Sequence, residues 1–188
     1  MSAVGGRAMG VRYAEARDVA AIVDLVRRAQ DKLTATGSLQ RLTLPSSAAV
    51  AAHVAARTVH VLEGGRGIVG SVFVELATAR RRPELARWGL DDGDAAAYPL
   101  WFLHTLVIDP DAQGRGLGRV LLDGVKRAVA RDGPATIVLD CWAGNDTLRA
   151  FYADAGFRLH GVFPECRHAV AVFAWGVCDG YPPLSPAR

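Results

Sequence analysis

Apolar residues recur along the chain with two different periods, and the switches between them mark out its elements. Val11 to Tyr13 predicts a short strand. From Asp18 the spacing turns helical: Val19, Ile22, Val23, Val26 and Ala29 share a face, with Asp18 as expected N-cap and an end near Leu33. Thr34 to Pro45 reads as a polar connection, and Ser46 or Ser47 then caps an alanine-rich helix reaching about Arg57. Two β-branched runs follow, Thr58 to Leu62 and Ile68 to Leu76, split by Gly64, Gly65, Arg66 and Gly67 as a hairpin. Ala77 to Pro99 has no clear period and predicts a long loop with one helical turn, either a lid or a solvated insertion.

Beyond Leu100 the pattern sharpens. Leu100 to Ile108 is an almost continuous apolar run, as expected of a strand buried on both faces. Asp109-Pro110-Asp111 stops it, and a glycine-rich turn leads into a helix to about Asp132. Leu117, Val120, Leu121, Val125, Ala128 and Val129 form that helix's apolar side. Thr136 to Cys141 predicts another buried strand. Asn145 or Asp146 starts a shorter helix ending before Gly156, and Phe157 to Val162 and Ala169 to Trp175 are the last strands. The expected order is β-α-α-β-β-β-α-β-α-β-β. Residues 10–178 would form one domain between a small, glycine-rich tail (1–9) and a Pro-rich tail (179–188).

The chain has 188 residues and a net charge of +3, with 51% hydrophobic and 22% charged residues, which argues against disordered and fibrous classes. No apolar run approaches the roughly 20 residues that span a bilayer. Neither a secretory signal nor a membrane partner is expected. Only Lys32 and Lys126 are lysines, so arginine carries nearly all the positive charge. Arginine forks suit phosphates, but +3 is too small an excess for a nucleic-acid partner. Cys141, Cys166 and Cys178 form no CxxC pair, so neither a disulfide framework nor a metal site is expected, and a reducing, cytoplasmic setting follows.

The chemistry concentrates at Gln113-Gly114-Arg115-Gly116-Leu117-Gly118, between a buried strand and an amphipathic helix. A helix start offers unpaired N–H groups and a positive dipole end, and glycines let a phosphate come close. Arg115 and Arg119 add charge, so the turn is either a diphosphate cradle or a plain structural turn. It does not fit GxxxxGK[ST], and position 119 is arginine where GxGxxG needs glycine.

Gln113-x-x-Gly116-x-Gly118, with Leu106-Val107-Ile108-Asp109-Pro110 before it and Val120-Leu121-Leu122 after it, resembles the Q/R-x-x-G-x-G/A loop of the GNAT superfamily of N-acetyltransferases. Asn145 and Phe151-Tyr152-x-x-x-Gly156-Phe157 resemble that family's second motif. The likeness implies a mixed, mostly antiparallel α/β sheet of six to seven strands with a central splayed parallel pair and about four flanking helices. It implies acetyl-CoA as co-substrate, with no metal, and direct attack by a primary amine. By likeness, the backbone of Leu106, Val107 and Ile108 pairs with pantetheine, and a backbone N–H near Val107 polarises the thioester carbonyl. Gln113, Gly114, Arg115, Gly116, Leu117, Gly118 and Arg119 hold the diphosphate. Asn145 lies near the pantetheine or caps a helix, and Tyr152 serves the departing thiolate or packs in the core. A general base is sought in His104 or Asp140, each with a structural alternative. Cys141 lacks an adjacent base for an acyl-enzyme route.

The acceptor is expected to be a small-molecule amine or a peptide N-terminus, selected by Leu33 to Pro45, Ala77 to Pro99 and Phe163 to Ala169. Asp91, Asp92, Asp94 and Glu165 could attract a cation or simply solubilise the surface. Trp88, Tyr98, Trp101 and Trp142 could line a pocket or fill the core. Two other readings remain: a non-catalytic acyl-CoA-binding module, and a toxin acetylating aminoacyl-tRNA, which would need a more basic surface. A homodimer is compatible with either.

Overall fold

The structure, a computed structural model, describes residues 9–38, 40, 42, 44–65, 67–77, 82–90, 99–131, 133–165 and 168–176. Expectations for residues 1–8, Asp91, Asp92, Asp94, Tyr98, Cys166, Cys178 and the C-terminal tail lie outside them.

Seven strands form one sheet: β1 (Gly10–Tyr13), β2 (Val59–Gly64), β3 (Gly67–Leu76), β4 (Leu100–Ile108), β5 (Thr136–Trp142), β6 (Arg158–Pro164) and β7 (Ala169–Gly176). Their order is β1-β2-β3-β4-β5-β7-β6. The helices among the described residues are α1 (Val19–Ala35), α2 (Ser47–Ala55), α3 (Arg82–Arg87), α4 (Leu117–Ala130) and α5 (Asp146–Asp154). The fold is therefore the mixed, mostly antiparallel sheet expected, with β4 and β5 as its parallel pair and five helices rather than about four. The chain divides into two compact units, Met1–Phe73 with Thr105–Val125 and Val74–His104 with Lys126–Arg188.

In the first unit α1 and α2 bury a common core. Ile22, Leu25, Val26 and Ala29 of α1 and Val50 of α2 pack with Val59, Val61, Phe73 and Val107. Each fully buried aliphatic side chain contributes about 1.5–3 kcal/mol. Ser46 caps α2, its hydroxyl accepting from the Ala49 N–H at 3.1 Å. Asp18 behaves differently from expectation. It precedes α1 but makes no side-chain cap. Its carboxylate accepts from Arg12 at 2.6 and 3.2 Å and from the Glu15 N–H at 2.8 Å, tying β1 to the turn before the helix. On α4, Leu121, Leu122 and Val125 are buried, but Val120 is 40% exposed, against expectation. Gly124 is required there: a Cβ would lie 2.5 Å from Val11.

In the second unit Leu85, Trp88 and Leu90 pack with Phe102, Val138, Val170 and Val172. Trp88 is thus a core residue rather than a pocket wall. The β4–β5 ladder matches Leu100, Trp101 and Phe102 with Thr136, Ile137 and Val138. On its other side β5 pairs antiparallel with β7 from Thr136↔Gly176 to Trp142↔Val170. β5 is thus an interior strand, with Ile137, Val138 and Leu139 fully buried.

Candidate functional site

In the first unit a glycine-rich turn joins the end of β4 to the start of α4. The Asp109 N–H donates to the Val69 carbonyl at 2.9 Å, and Gln113 Nε2 donates to the Ile108 carbonyl at 3.3 Å. The chain then turns through Gly114 and Gly116, both left-handed at φ 77° and 72°. Those angles favour glycine, and a Cβ at either position would meet open space. The Arg119 and Val120 N–H groups donate to the Gly116 carbonyl at 3.1 and 3.2 Å. The N–H groups of Leu117 and Gly118 precede that bond and belong to the helix's unpartnered first turn. Arg115 is exposed beside them, whereas Arg119 is engaged by Asp123 at 3.1 Å. Open space at both glycines and the dipole end of α4 are compatible with an anionic ligand.

Thr105 is the feature that sequence reading missed. It sits inside β4 at φ 49°, a conformation that costs a β-branched residue dearly. Such strain persists only where the surroundings impose it, and it often marks functional backbone. It interrupts the simple alternation of β4, so Leu106, Val107 and Ile108 cannot be assigned faces by counting from His104.

The second unit carries the remaining candidates. His104 stacks on Phe102 with ring centroids 5.7 Å apart, and its Nε2 lies 3.7 Å from Glu75 Oε1 on β3. Both side chains are about one-quarter exposed (23% and 24%), but the His104 Nε2 atom itself is buried. Glu75 had no local signal in the sequence, because strand register brings it to His104. Asp140 is half-buried on β5, next to Cys141. Asn145 caps α5, its Oδ1 accepting from the Leu148 N–H at 3.0 Å. The helical-cap alternative is therefore realised, and it orients the side chain.

Tyr152 is 5% exposed, its ring near Phe157 and Phe173 at 6.0 and 5.9 Å. Burial above all, with the nearby Asp140 charge, raises the phenol's pKa above its ordinary value, so Tyr152 keeps its proton at neutral pH. Cys141 is a fully buried free thiol, pushed up to about 12 by burial and by Asp140. A thiol so rarely ionised is a poor nucleophile, which disfavours an acyl-cysteine route. Trp101 and Trp142 are half-buried, and Glu165 lies 3.7 Å from His168. Among the described residues no cluster of His, Cys, Asp or Glu could hold a metal.

The chain is a member of the acetyltransferase (GNAT) family, whose model matches residues 55–157. Among solved structures it resembles a GNAT-family acetyltransferase from Listeria monocytogenes at 20% identity and TM-score 0.69, covering 90% of this chain and 95% of that one. It also resembles the ribosomal-protein-S18-alanine N-acetyltransferase of Escherichia coli (18% identity, TM-score 0.64, 92% and 96% covered). A third likeness is yncA of Salmonella typhimurium, solved with its cofactor acetyl-CoA (16% identity, TM-score 0.63, 94% and 98% covered). No curated protein matches the chain.

Proposed function

We propose that the protein is an acetyl-CoA-dependent N-acetyltransferase of a reducing, cytoplasmic setting, acting on a small amine or a peptide N-terminus by direct attack. The observation that carries the reading is the open glycine turn at the head of α4. The amides of Gly114 to Gly118 hold the diphosphate, with Gln113 bracing the turn and Arg115 and Arg119 supplying positive charge. The backbone of Leu106, Val107 and Ile108 lies along pantetheine, and the Val107 N–H polarises the carbonyl. Asn145, with Oδ1 committed to the helix cap, offers its amide N–H to the same arm. Acetyl-CoA supplies an activated acetyl group.

The acceptor nitrogen sheds two protons in all. One leaves through His104, whose Nε2 lies 3.7 Å from Glu75 Oε1. The other is matched by the proton that Tyr152 gives to the departing sulfur. Asp140, half-buried on β5, is the alternative base. The likeness to the Escherichia coli enzyme favours a protein N-terminus among the acceptors to be tried first.

A panel of amines and N-terminal peptides, with release of free thiol as readout, tests this. Amine-dependent release is expected. Tyr152→Phe should lower kcat about 10- to 100-fold while CoA affinity stays within about twofold. CoA binding without release for any acceptor would replace the enzyme with a coenzyme-binding module.

A further inference from the structure

We infer that Arg28 on α1 is a positioning residue for the phosphate turn, acting through Asp109; this rests on the diphosphate reading above. Asp109 directly follows β4, seven residues before Gly116. A carboxylate there would repel a coenzyme diphosphate unless another charge neutralised it and held it in place. Arg28 does both, donating from Nη1 to Asp109 Oδ1 at 2.9 Å and from Nη2 to Oδ2 at 3.1 Å. Such a two-pronged pair fixes orientation as well as charge. The same Oδ1 accepts from the Asp111 N–H at 3.1 Å, so the pair sets the first bend of the segment. Arg28 is itself aimed by Asp24, which accepts from its Nε at 2.9 Å one helical turn away. Lys32, one turn further along α1, donates from Nζ to the Pro110 carbonyl at 3.2 Å. The Arg28 guanidinium holds the Asp109 carboxyl below the usual carboxylate range. The first helix thus fastens the start of the turn, and the buried Leu117 fastens its end. A turn ordered in advance spares the coenzyme the cost of ordering it.

The test compares CoA with a donor that lacks the diphosphate. CoA affinity is measured by calorimetry, and turnover with acetyl-CoA and with S-acetyl-pantetheine, for wild type, Arg28→Gln, Arg28→Lys and Asp109→Asn. Arg28→Gln should raise the CoA Kd about tenfold, with Arg28→Lys in between. The kcat/KM for S-acetyl-pantetheine should stay within about twofold of wild type. Adding Asp109→Asn to Arg28→Gln should recover part of the loss, because no unpaired carboxylate then stands at the start of the turn. An unchanged CoA Kd in folded Arg28→Gln overturns the inference, and so does an equal loss with both donors, the mark of a general structural role. If Arg28→Gln does not fold, Arg28→Lys and Asp109→Asn carry the same comparison. A wild type that binds CoA no better than pantetheine overturns the phosphate-turn reading itself, a different and separable failure.

Discussion

His60 and Tyr152 are both buried, and burial moves their protons in opposite directions. His60 is 4% exposed, its ring 4.3 Å from Tyr13, and neither ring nitrogen has a hydrogen-bond partner among the described residues. Burial first, then the Arg57 charge, lowers its pKa to about 4. The unfolded chain takes up this proton near pH 6.5, whereas the native one resists it. Native stability is therefore fully present above about pH 6.5 and declines as pH falls toward 4, by about 3 kcal/mol at most. Urea unfolding across that window should show the decline in wild type and a flatter profile in His60→Leu. Equal slopes would show that other groups govern it. At this scale the sequence was partly legible. Asn145 and Ser46 announce their caps through residue type and position. Asp18 looks equally good as a cap, yet Arg12 recruits its carboxylate, and helical spacing does not encode that contact. Glu75 becomes a partner of His104 only through register between strands.

Among the elements, β4 holds the least readable feature. A threonine within an apolar run reads as ordinary strand, yet Thr105 is left-handed. Holding a β-branched residue there costs about 1–3 kcal/mol. Thr105→Gly should remove that strain, raising the unfolding free energy by about 1 kcal/mol even after glycine's greater freedom when unfolded. The same change loosens the backbone of Leu106 to Ile108, so kcat/KM should fall severalfold. A glycine variant that is both less stable and fully active would contradict this account of the strand. The surrounding elements were visible because their periodicity is strong. The hairpin of β2 and β3 and the boundaries of β4 emerge from apolar runs and glycine stops. Val120 was misassigned because at about 100° per residue it lies outside the stripe of Leu117, Leu121 and Val125.

For the whole chain, the mixed sheet with its parallel pair followed from the family resemblance, and the strand order was not legible at all. β5 lies between β4 and β7, and β6 takes the edge, an arrangement that depends on long-range pairing. No local pattern specifies such pairing. The family match covers residues 55–157, whereas Arg28, which braces the phosphate turn, lies before it. The acceptor is the least readable part, because no motif within Leu33 to Pro45, Ala77 to Pro99 or Phe163 to Ala169 singles out one amine.

The central claim is that the turn at the head of α4 grips a coenzyme diphosphate. Calorimetry with acetyl-CoA on wild type and Gly116→Glu tests it most directly. A Cβ at residue 116 meets open space, so the variant's fold should survive the strain of φ 72°, while a carboxylate enters the phosphate site. We predict saturable binding of one coenzyme per chain in wild type and none in folded Gly116→Glu. Undiminished affinity in that variant, or no binding by wild type, would contradict the account.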